Sequence, residues 1–315
     1  MPIDPLLADL LAHPDAPAPV GLSVAEEREH ANRAQRALRA RTYRRPPEPA
    51  AIEDRVIAVA GGEIPLRIYS PAGPEPAPIH LYLHGGGFWL GSIDGSDAAC
   101  RELCVASGAL VVSVGYRLAP EHRFPVPPED CYAALEYVVA NGAGFGGITT
   151  CVSIGGESAG ANLAAVVALM ARDRSGPPLV LQILSIPITD LTMSHPSIAS
   201  CAEGYLLTRG GIEALRDHYL GGSRDPRDPR VSPLFAENLS GLPPALVVTM
   251  EFDPLRDEGE AYARRLVEAG VAVTQRRYLG LVHGSAMFTA LLPQAQGYYD
   301  FLAKAMRAAH DVARR

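Results

Sequence analysis

The sequence lacks a long hydrophobic run, an excess of basic residues and a disulfide framework, and each absence excludes a class of protein. No stretch of about 18 consecutive apolar residues occurs, so we expect no membrane-spanning helix and no stable membrane insertion. The chain has 28 Lys and Arg residues against 35 Asp and Glu residues, a formal net charge of −7. This balance argues against an extended nucleic-acid-binding surface and against a nucleic-acid partner. Residues 1–6 lack the basic and apolar segments of a secretory signal, so a cytoplasmic location is expected.

The five cysteines are an odd number without the spacing of a disulfide framework. A chain of 315 residues can bury a core large enough to fold without disulfides. Cys100 and Cys104 could share one face of a helix, but we expect buried free thiols rather than a metal-binding or redox pair.

Strand-like and helix-like segments alternate along most of the chain. This alternation predicts an α/β fold with a mostly parallel central sheet flanked by helices. We assign residues 46–190 and 231–315 to this core, residues 1–45 to an N-terminal helical cap segment, and residues 191–230 to a second cap segment.

Local signals predict the ends of several elements. Residues 23–26 form a capping box that begins a helix running through about Arg41. Residues 55–69 contain two glycines between apolar runs and predict an opening hairpin. A helical run at 212–220 lies in the second cap segment.

Two glycine-rich motifs follow two strand-like runs. Residues 84–87 (His-Gly-Gly-Gly) follow the apolar run 79–83, and residues 156–160 (Gly-Glu-Ser-Ala-Gly) follow the run 151–154. A serine at the tip of a sharp strand-to-helix turn needs neighbours without bulky side chains, which makes Ser158 a candidate nucleophile. Glycines in the first motif let main-chain N–H groups approach a substrate oxygen. A chance match or a flexible glycine turn would explain either motif alone, but both occur here in the order that acyl transfer requires.

A serine hydroxyl needs a general base, and the base needs an orienting acid. Asp253 follows the strand-like run 245–251, and His283 follows the strand-like run 274–278. Asp257 is the alternative to Asp253 as the orienting acid. It is expected in the first turn of a helix, where the helix dipole favours an acidic side chain without any catalytic role. Three other histidines are candidates for the general base, but none of them follows the last strands; they are His80, His84 and His122. Of these, we expect His84 to hold the glycine loop. The alternative explanation of His283 is a partly buried loop histidine.

These motifs occur together with two more, Tyr-Arg-Leu-Ala-Pro-Glu-His at 116–122 and Asp-Pro-Leu-Arg-Asp-Glu-Gly at 253–259. Together, from about residue 79 to 283, they resemble the hormone-sensitive-lipase-like family (bacterial family IV) of α/β-hydrolase carboxylesterases. The order Ser, Asp, His is the order of the α/β-hydrolase triad.

The resemblance implies a role for each motif residue. Ser158 would be the nucleophile, His283 the general acid and base, and Asp253 the carboxylate that orients the histidine. The N–H groups of Gly86, Gly87 and Ala159 would form the oxyanion hole, and the Ala159 donor also follows from the mechanics of this fold. The remaining motif residues would support this geometry; they are His84, Gly85, Gly156, Glu157 and Gly160.

The implied activity is that of a serine carboxylesterase that needs no cofactor or metal and hydrolyses small esters with short to medium acyl chains. Dimerisation through a sheet edge or the C-terminal helix is common in the family, so a homodimer is a further expectation. Two alternatives stay open, namely hydrolysis of amides or carbamates by the same triad and a non-catalytic ligand receptor of this fold. The basic N-terminal segment could attract anionic lipid, but a solvated helix face explains it better.

The sequence departs from the family pattern at four places. Glu157 replaces the usual Asp, and we expect its side chain to project away from the histidine and to alter packing more than chemistry. Gly115 stands where an Asp is frequent, Ser285 where an aromatic residue is frequent, and prolines at 127–128 where small residues are usual. The last two differences are expected to reshape the substrate pocket.

Overall fold

The computed structural model describes residues 2–12, 21–73, 76–222 and 224–315. Within these ranges, eight strands form one sheet in the order β1-β2-β4-β3-β5-β6-β7-β8. The strands are β1 (Ala51–Val59), β2 (Gly62–Ser70), β3 (Ala77–Leu83), β4 (Leu110–Val114), β5 (Gly147–Glu157), β6 (Leu181–Ser185), β7 (Ala245–Phe252) and β8 (Val273–Val282).

The sheet is mostly parallel, as predicted. β1 and β2 form the expected antiparallel hairpin, and β2 also runs antiparallel to β4. All other neighbours are parallel. The carboxyl ends of β3, β5, β7 and β8 therefore point to the same edge of the sheet.

Helices connect and cover the strands. They are α1 (Pro5–Ala12), α2 (Val24–Thr42), α3 (Ile93–Ser107), α4 (Val126–Asn141), α5 (Ala159–Asp173), α6 (Pro196–Ser200), α7 (Arg209–Leu220), α8 (Arg256–Glu268) and α9 (Pro293–Ala313). None of the helices in the described ranges is long and apolar enough to cross a membrane.

Apolar packing on both faces of the sheet explains why the central strands read as unbroken hydrophobic runs. All residues of β3, β4 and β6 are buried. On one face, Leu103 of α3 and Leu302 of α9 belong to one buried cluster; on the other face, Leu135 of α4 and Leu163 of α5 belong to a second. Residues 159–171 of α5 are all buried, which their small side chains permit. The predicted layered α/β core is confirmed.

The two predicted cap segments contain helices, and their domain boundaries stay predictions. The capping box that begins α2 is present, with Ser23 and Glu26 each bonded to the other's main chain. The second segment contains α6 and α7. Residues 13–20 of the first segment and residue 223 of the second lie outside the described residues.

Two strands are longer than the sequence pattern indicates. β5 begins at Gly147 rather than near residue 151, and β8 ends at Val282 rather than near residue 278. β8 is an edge strand whose first half is largely exposed, and Gly280 interrupts its pattern with a φ of 75°. Because polar residues interrupt the apolar pattern of β8, the sequence alone does not show where the strand ends. His283 is the residue that follows its last residue, Val282.

All five cysteines are buried free thiols, as expected for Cys100 and Cys104.

Candidate active site

The turn between β5 and α5 holds Ser158 in a strained conformation. Its φ of 58° and ψ of −117° lie outside the regions that a side-chain-bearing residue ordinarily adopts. The Ser158 N–H donates a 2.8 Å hydrogen bond to the Ser185 carbonyl of β6, which fixes the turn. A Cβ atom at Gly156 or Gly160 would overlap the main-chain oxygen of Leu83. The two glycines are therefore required for β3 to pass beside the turn.

Ser158, His283 and Asp253 form a continuous hydrogen-bonded chain. His283 Nε2 lies 3.1 Å from Ser158 Oγ, and His283 Nδ1 lies 2.8 Å from Asp253 Oδ2. Because a carboxylate only accepts, the proton of the neutral imidazole resides on Nδ1, and Nε2 is free to accept the serine proton. Asp253 is fully buried, and its Oδ1 accepts a bond from the Leu255 N–H at 2.9 Å.

The glycine loop after β3 lies beside this turn. A Cβ atom at Gly85 would lie 2.9 Å from the carbonyl oxygen of Glu157, and one at Gly86 would overlap the Leu90 carbonyl. Gly86 and Gly87 have φ values of 120° and 60°, which favour glycine. Within the described part of the chain, no acceptor binds the N–H groups of Gly86, Gly87 or Ala159. The three donors predicted from the motifs are thus unpaired.

Comparisons with known proteins agree with this arrangement. The family model of the α/β-hydrolase fold matches residues 80–287, well over half of the chain. The chain belongs to the α/β-hydrolase family. The carboxylesterase NlhH of Mycobacterium tuberculosis is 40% identical over 302 residues, which cover 93% of this chain and 92% of that protein.

Two further α/β-hydrolase relatives bear on the family assignment. The carboxylic ester hydrolase LipN of Mycobacterium tuberculosis is 47% identical over 240 residues, 74% of this chain but only 64% of that protein. The solved structure of a hyperthermophilic esterase from Pyrobaculum calidifontis matches with a TM-score of 0.92 at 38% identity, covering 98% of this chain and 99% of that one. The predicted family, that of α/β-hydrolase carboxylesterases, is confirmed.

The electrostatics of this α/β-hydrolase site favour protonation of His283. Burial alone would lower the pKa of His283, but the charge and hydrogen bond of Asp253, together with the charge of Glu157, outweigh burial and raise that pKa above its usual value. Asp253, which contacts Nδ1, thus favours the protonated form of His283.

His84 holds the glycine loop, as predicted. Its Nδ1 lies 2.8 Å from the carbonyl oxygen of Gly85, and its ring stacks on Tyr116 with centroids 4.2 Å apart. The Tyr116 hydroxyl donates a 2.8 Å bond to the His84 carbonyl. Burial lowers the pKa of His84 to about 4, so the ring is neutral at physiological pH.

Arg28 is a site-supporting residue that sequence reasoning missed. From α2, it donates to the carbonyl oxygens of Trp89 at 2.7 Å and Ala119 at 2.8 Å, and it pairs with Glu121. It therefore connects the N-terminal cap to the loop that carries the unpaired glycine N–H groups. The sequence offers no signal that separates it from the neighbouring arginines of the same helix.

The departures from the family pattern have local explanations. A Cβ atom at Gly115 would lie 2.7 Å from the Pro65 ring, and the carboxylate that binds Arg117 comes instead from Asp130 at 2.6 Å. The Ser285 hydroxyl donates to the Val282 carbonyl and accepts from the Val282 N–H, so it closes the turn around His283. The prolines at 127–128 lie buried in the first turn of α4.

Asp257, the alternative to Asp253 as the orienting acid, has other partners. It lies in the first turn of α8, as predicted, and accepts hydrogen bonds from Arg256 and from the Ser197 N–H of α6. His122 is exposed.

A second serine–histidine cluster lies in the core. Ser153 Oγ donates to the Ile79 carbonyl at 3.2 Å and lies 2.9 Å from both His80 Nδ1 and His310 Nε2. Because the one hydroxyl proton is used, both imidazoles donate to this oxygen. All three side chains are buried. This cluster connects β3, β5 and α9, and its hydroxyl is fully engaged.

Proposed function

We propose that this chain is a serine carboxylesterase that hydrolyses small-molecule esters with short to medium acyl chains through an acyl-enzyme intermediate. One observation carries the proposal: the hydrogen-bonded chain from Asp253 through His283 to Ser158 ends beside three unpaired main-chain N–H groups. A nucleophile with its base and a set of oxyanion donors are the parts that acyl transfer requires.

In the first half of the reaction, Ser158 Oγ attacks the ester carbonyl carbon while His283 Nε2 accepts the hydroxyl proton. Negative charge then develops on the former carbonyl oxygen, where the N–H groups of Gly86, Gly87 and Ala159 can donate to it. His283 gives its proton to the departing alkoxide, so the alcohol leaves and the acyl group stays on Ser158.

In the second half, His283 removes a proton from water, and the resulting hydroxide attacks the acyl carbon. The tetrahedral intermediate collapses with proton return to Ser158 Oγ, which releases the carboxylic acid. Asp253 keeps the Nδ1 proton in place throughout and stabilises the imidazolium.

Three observations support a preference for small acyl groups. The cap helix α7 reaches the glycine loop, since a Cβ atom at Gly87 would lie 3.0 Å from Leu215 Cβ. Trp89 at the end of that loop packs against His218 of the same helix, with ring centroids 4.8 Å apart. An ethyl acetate hydrolase of Pseudomonas putida is 36% identical over 253 residues, 79% of this chain.

Hydrolysis of p-nitrophenyl esters from acetate to palmitate tests the proposal. We expect turnover to be greatest with short to medium acyl chains and to fall by at least about 10³-fold in Ser158→Ala and His283→Ala proteins. Ser153→Ala is the matched control, because it removes a serine bonded to two histidines outside the proposed site. It should retain turnover.

Other outcomes would point to the alternatives. Cleavage of anilides or carbamates at rates above those of matched esters would favour an amidase or carbamate hydrolase. Saturable ligand binding without turnover of any substrate would favour a receptor. Cytoplasmic location and homodimerisation stay predictions of the sequence.

A further inference from the structure

The main chain that follows β6 passes along both sides of the nucleophile turn. The Ser158 N–H donates to the carbonyl oxygen of Ser185 at 2.8 Å, and the Ser158 carbonyl oxygen lies 3.5 Å from the main-chain nitrogen of Ile188. Between these two contacts, Ile186 has a φ of 44°. A β-branched residue rarely adopts a positive φ, so the surrounding structure must hold this segment in place. We call residues 186–190 the β6 loop.

Glu258 of α8 holds the far end of the β6 loop. Its Oε1 accepts hydrogen bonds from the N–H groups of Thr189 at 2.7 Å and Asp190 at 3.1 Å. A Cβ atom at Gly259, the next residue of the helix, would lie 3.2 Å from the Pro187 ring, so α8 packs directly against the loop. Buried main-chain N–H groups need acceptors, and this one carboxyl oxygen serves two of them.

The helix that carries Glu258 also begins beside the proposed triad acid. Asp253 Oδ1 accepts a hydrogen bond from the Leu255 N–H at 2.9 Å, and the Gly259 N–H donates to the Leu255 carbonyl at 3.1 Å. The side chain of Glu258 therefore connects the loop beside Ser158 to the start of the helix beside Asp253. A change at this one side chain can thus affect the geometry of both.

The Glu258 carboxyl group is suited to hold main chain rather than to supply charge. It is fully buried, and within the described ranges its second oxygen, Oε2, has no hydrogen-bond partner. Burial raises the pKa of Glu258 well above its usual value, although the two accepted hydrogen bonds oppose that rise. A protonated carboxyl group keeps an acceptor oxygen for the two N–H groups and needs no countercharge.

We propose that Glu258 is a positioning residue for ester hydrolysis: by accepting the Thr189 and Asp190 N–H groups, it holds the β6 loop against the nucleophile turn and so maintains the orientation of Ser158. The inference rests on the proposed function. Ser158 Oγ must stay within reach of His283 Nε2, from which it lies 3.1 Å away. A displacement of about 1 Å at a reacting group can lower the rate about 100-fold.

The test compares Glu258→Gln with Glu258→Met. Gln keeps the acceptor oxygen, whereas Met keeps a side chain of similar length and removes the acceptor. We expect Glu258→Met to lower kcat by about 10- to 100-fold while KM changes less than about threefold, and Glu258→Gln to retain kcat within about threefold. Glu260→Met is the matched control. Glu260 is also a buried residue of α8, but it accepts from Thr249 of β7 and Arg277 of β8. Its replacement should leave kcat unchanged even if stability falls.

A second measurement does not depend on turnover. Amide hydrogen exchange followed by NMR reports on the N–H groups of Ser158, Thr189 and Asp190 directly. We expect all three to exchange at least about 10-fold faster in Glu258→Met than in the wild-type protein, because the loop opens locally more often. Glu258→Gln and Glu260→Met should show no such increase at these three positions.

The outcomes separate this inference from the proposed function. If Glu258→Met does not fold, Glu258→Asp, whose carboxyl group is shorter by one methylene, replaces it with the same expectations. Wild-type kcat and wild-type exchange at Ser158 in the folded variant would overturn the inference. An equal loss of kcat in Glu258→Gln would also overturn it, because charge rather than the acceptor oxygen would then be required. Absence of ester turnover in the wild-type protein would count against the proposed function alone, and the exchange rates would still test the inference.

Discussion

The Arg28 guanidinium of α2 donates a 2.7 Å hydrogen bond to the carbonyl oxygen of Trp89, two residues after Gly87. Through this bond, a residue 61 positions earlier in the chain supports the loop that carries the proposed oxyanion donors. Helix α2 therefore helps to fix the position of this loop.

Replacing Arg28 with Ala should weaken both stability and turnover. The carbonyl oxygens of Trp89 and Ala119 would lose their donor, which costs about 1–3 kcal/mol of unfolding free energy. Loosening of the loop should lower kcat/KM by about 10- to 100-fold. Urea unfolding and ester hydrolysis measure the two effects. Arg33→Ala is the control, because Arg33 is 72% exposed and lies 3.8 Å from Glu29. Equal behaviour of the two variants would contradict this role.

The pH dependence of kcat/KM should show the raised pKa of His283. The neutral imidazole is the base, so activity is lost as pH falls through that pKa. Free histidine titrates near about 6.5, and Asp253 and Glu157 raise the value here despite burial. The acid limb should therefore lie above pH ~6.5. A limb below that value, measured with an ester whose hydrolysis does not itself depend on pH in this range, would contradict the electrostatic account.

Acid should destabilise the fold through the buried histidine cluster. Burial lowers the pKa of His80 to about 3 and of His310 to about 4. In the unfolded chain both titrate near about 6.5, so between these values the unfolded state binds more protons. Their contribution to stability is therefore complete above pH ~6.5 and is lost as pH falls towards 4.

Unfolding free energies measured from pH 8 to 4.5 check this prediction. His310→Gln keeps an N–H donor for Ser153 and removes one titrating group, so its stability should fall less steeply with acid than that of the wild-type protein. Parallel pH dependences of the two proteins would show that the cluster is not responsible.

Gly160→Ala should disrupt the nucleophile turn. The added Cβ atom would overlap the Leu83 carbonyl, and backbone cannot move aside as a side chain can. We expect a loss of at least about 3 kcal/mol in unfolding free energy, at the upper end of overpacking effects. Gly297→Ala in α9 is the matched control, because nothing lies within 4 Å of its Cβ position. It should be neutral or stabilising by up to about 1 kcal/mol. Differential scanning calorimetry distinguishes the two.

Much of the architecture could be predicted because local signals repeat along the chain. Apolar runs that end in glycine motifs indicate β3 and β5. The order of Ser158, Asp253 and His283 indicates which strands end near the candidate site. The structure brings these three side chains within hydrogen-bonding distance. Their catalytic roles remain part of the proposal.

Other features depend on contacts between distant segments and leave no local pattern. β8 is exposed along its first half, so its polar residues hide its length. Arg28 looks like any arginine of a solvated helix until α2 packs over the glycine loop.

Covalent labelling tests the central claim most directly. The wild-type protein, Ser158→Ala and Ser153→Ala are each treated with diethyl p-nitrophenyl phosphate, and the modified peptide is identified by mass spectrometry. The account predicts one diethylphosphoryl group on Ser158 in the wild-type and Ser153→Ala proteins, with loss of esterase activity in proportion to labelling, and none on Ser158→Ala. Labelling at another residue that accompanies loss of activity, or full esterase activity in Ser158→Ala, would contradict it.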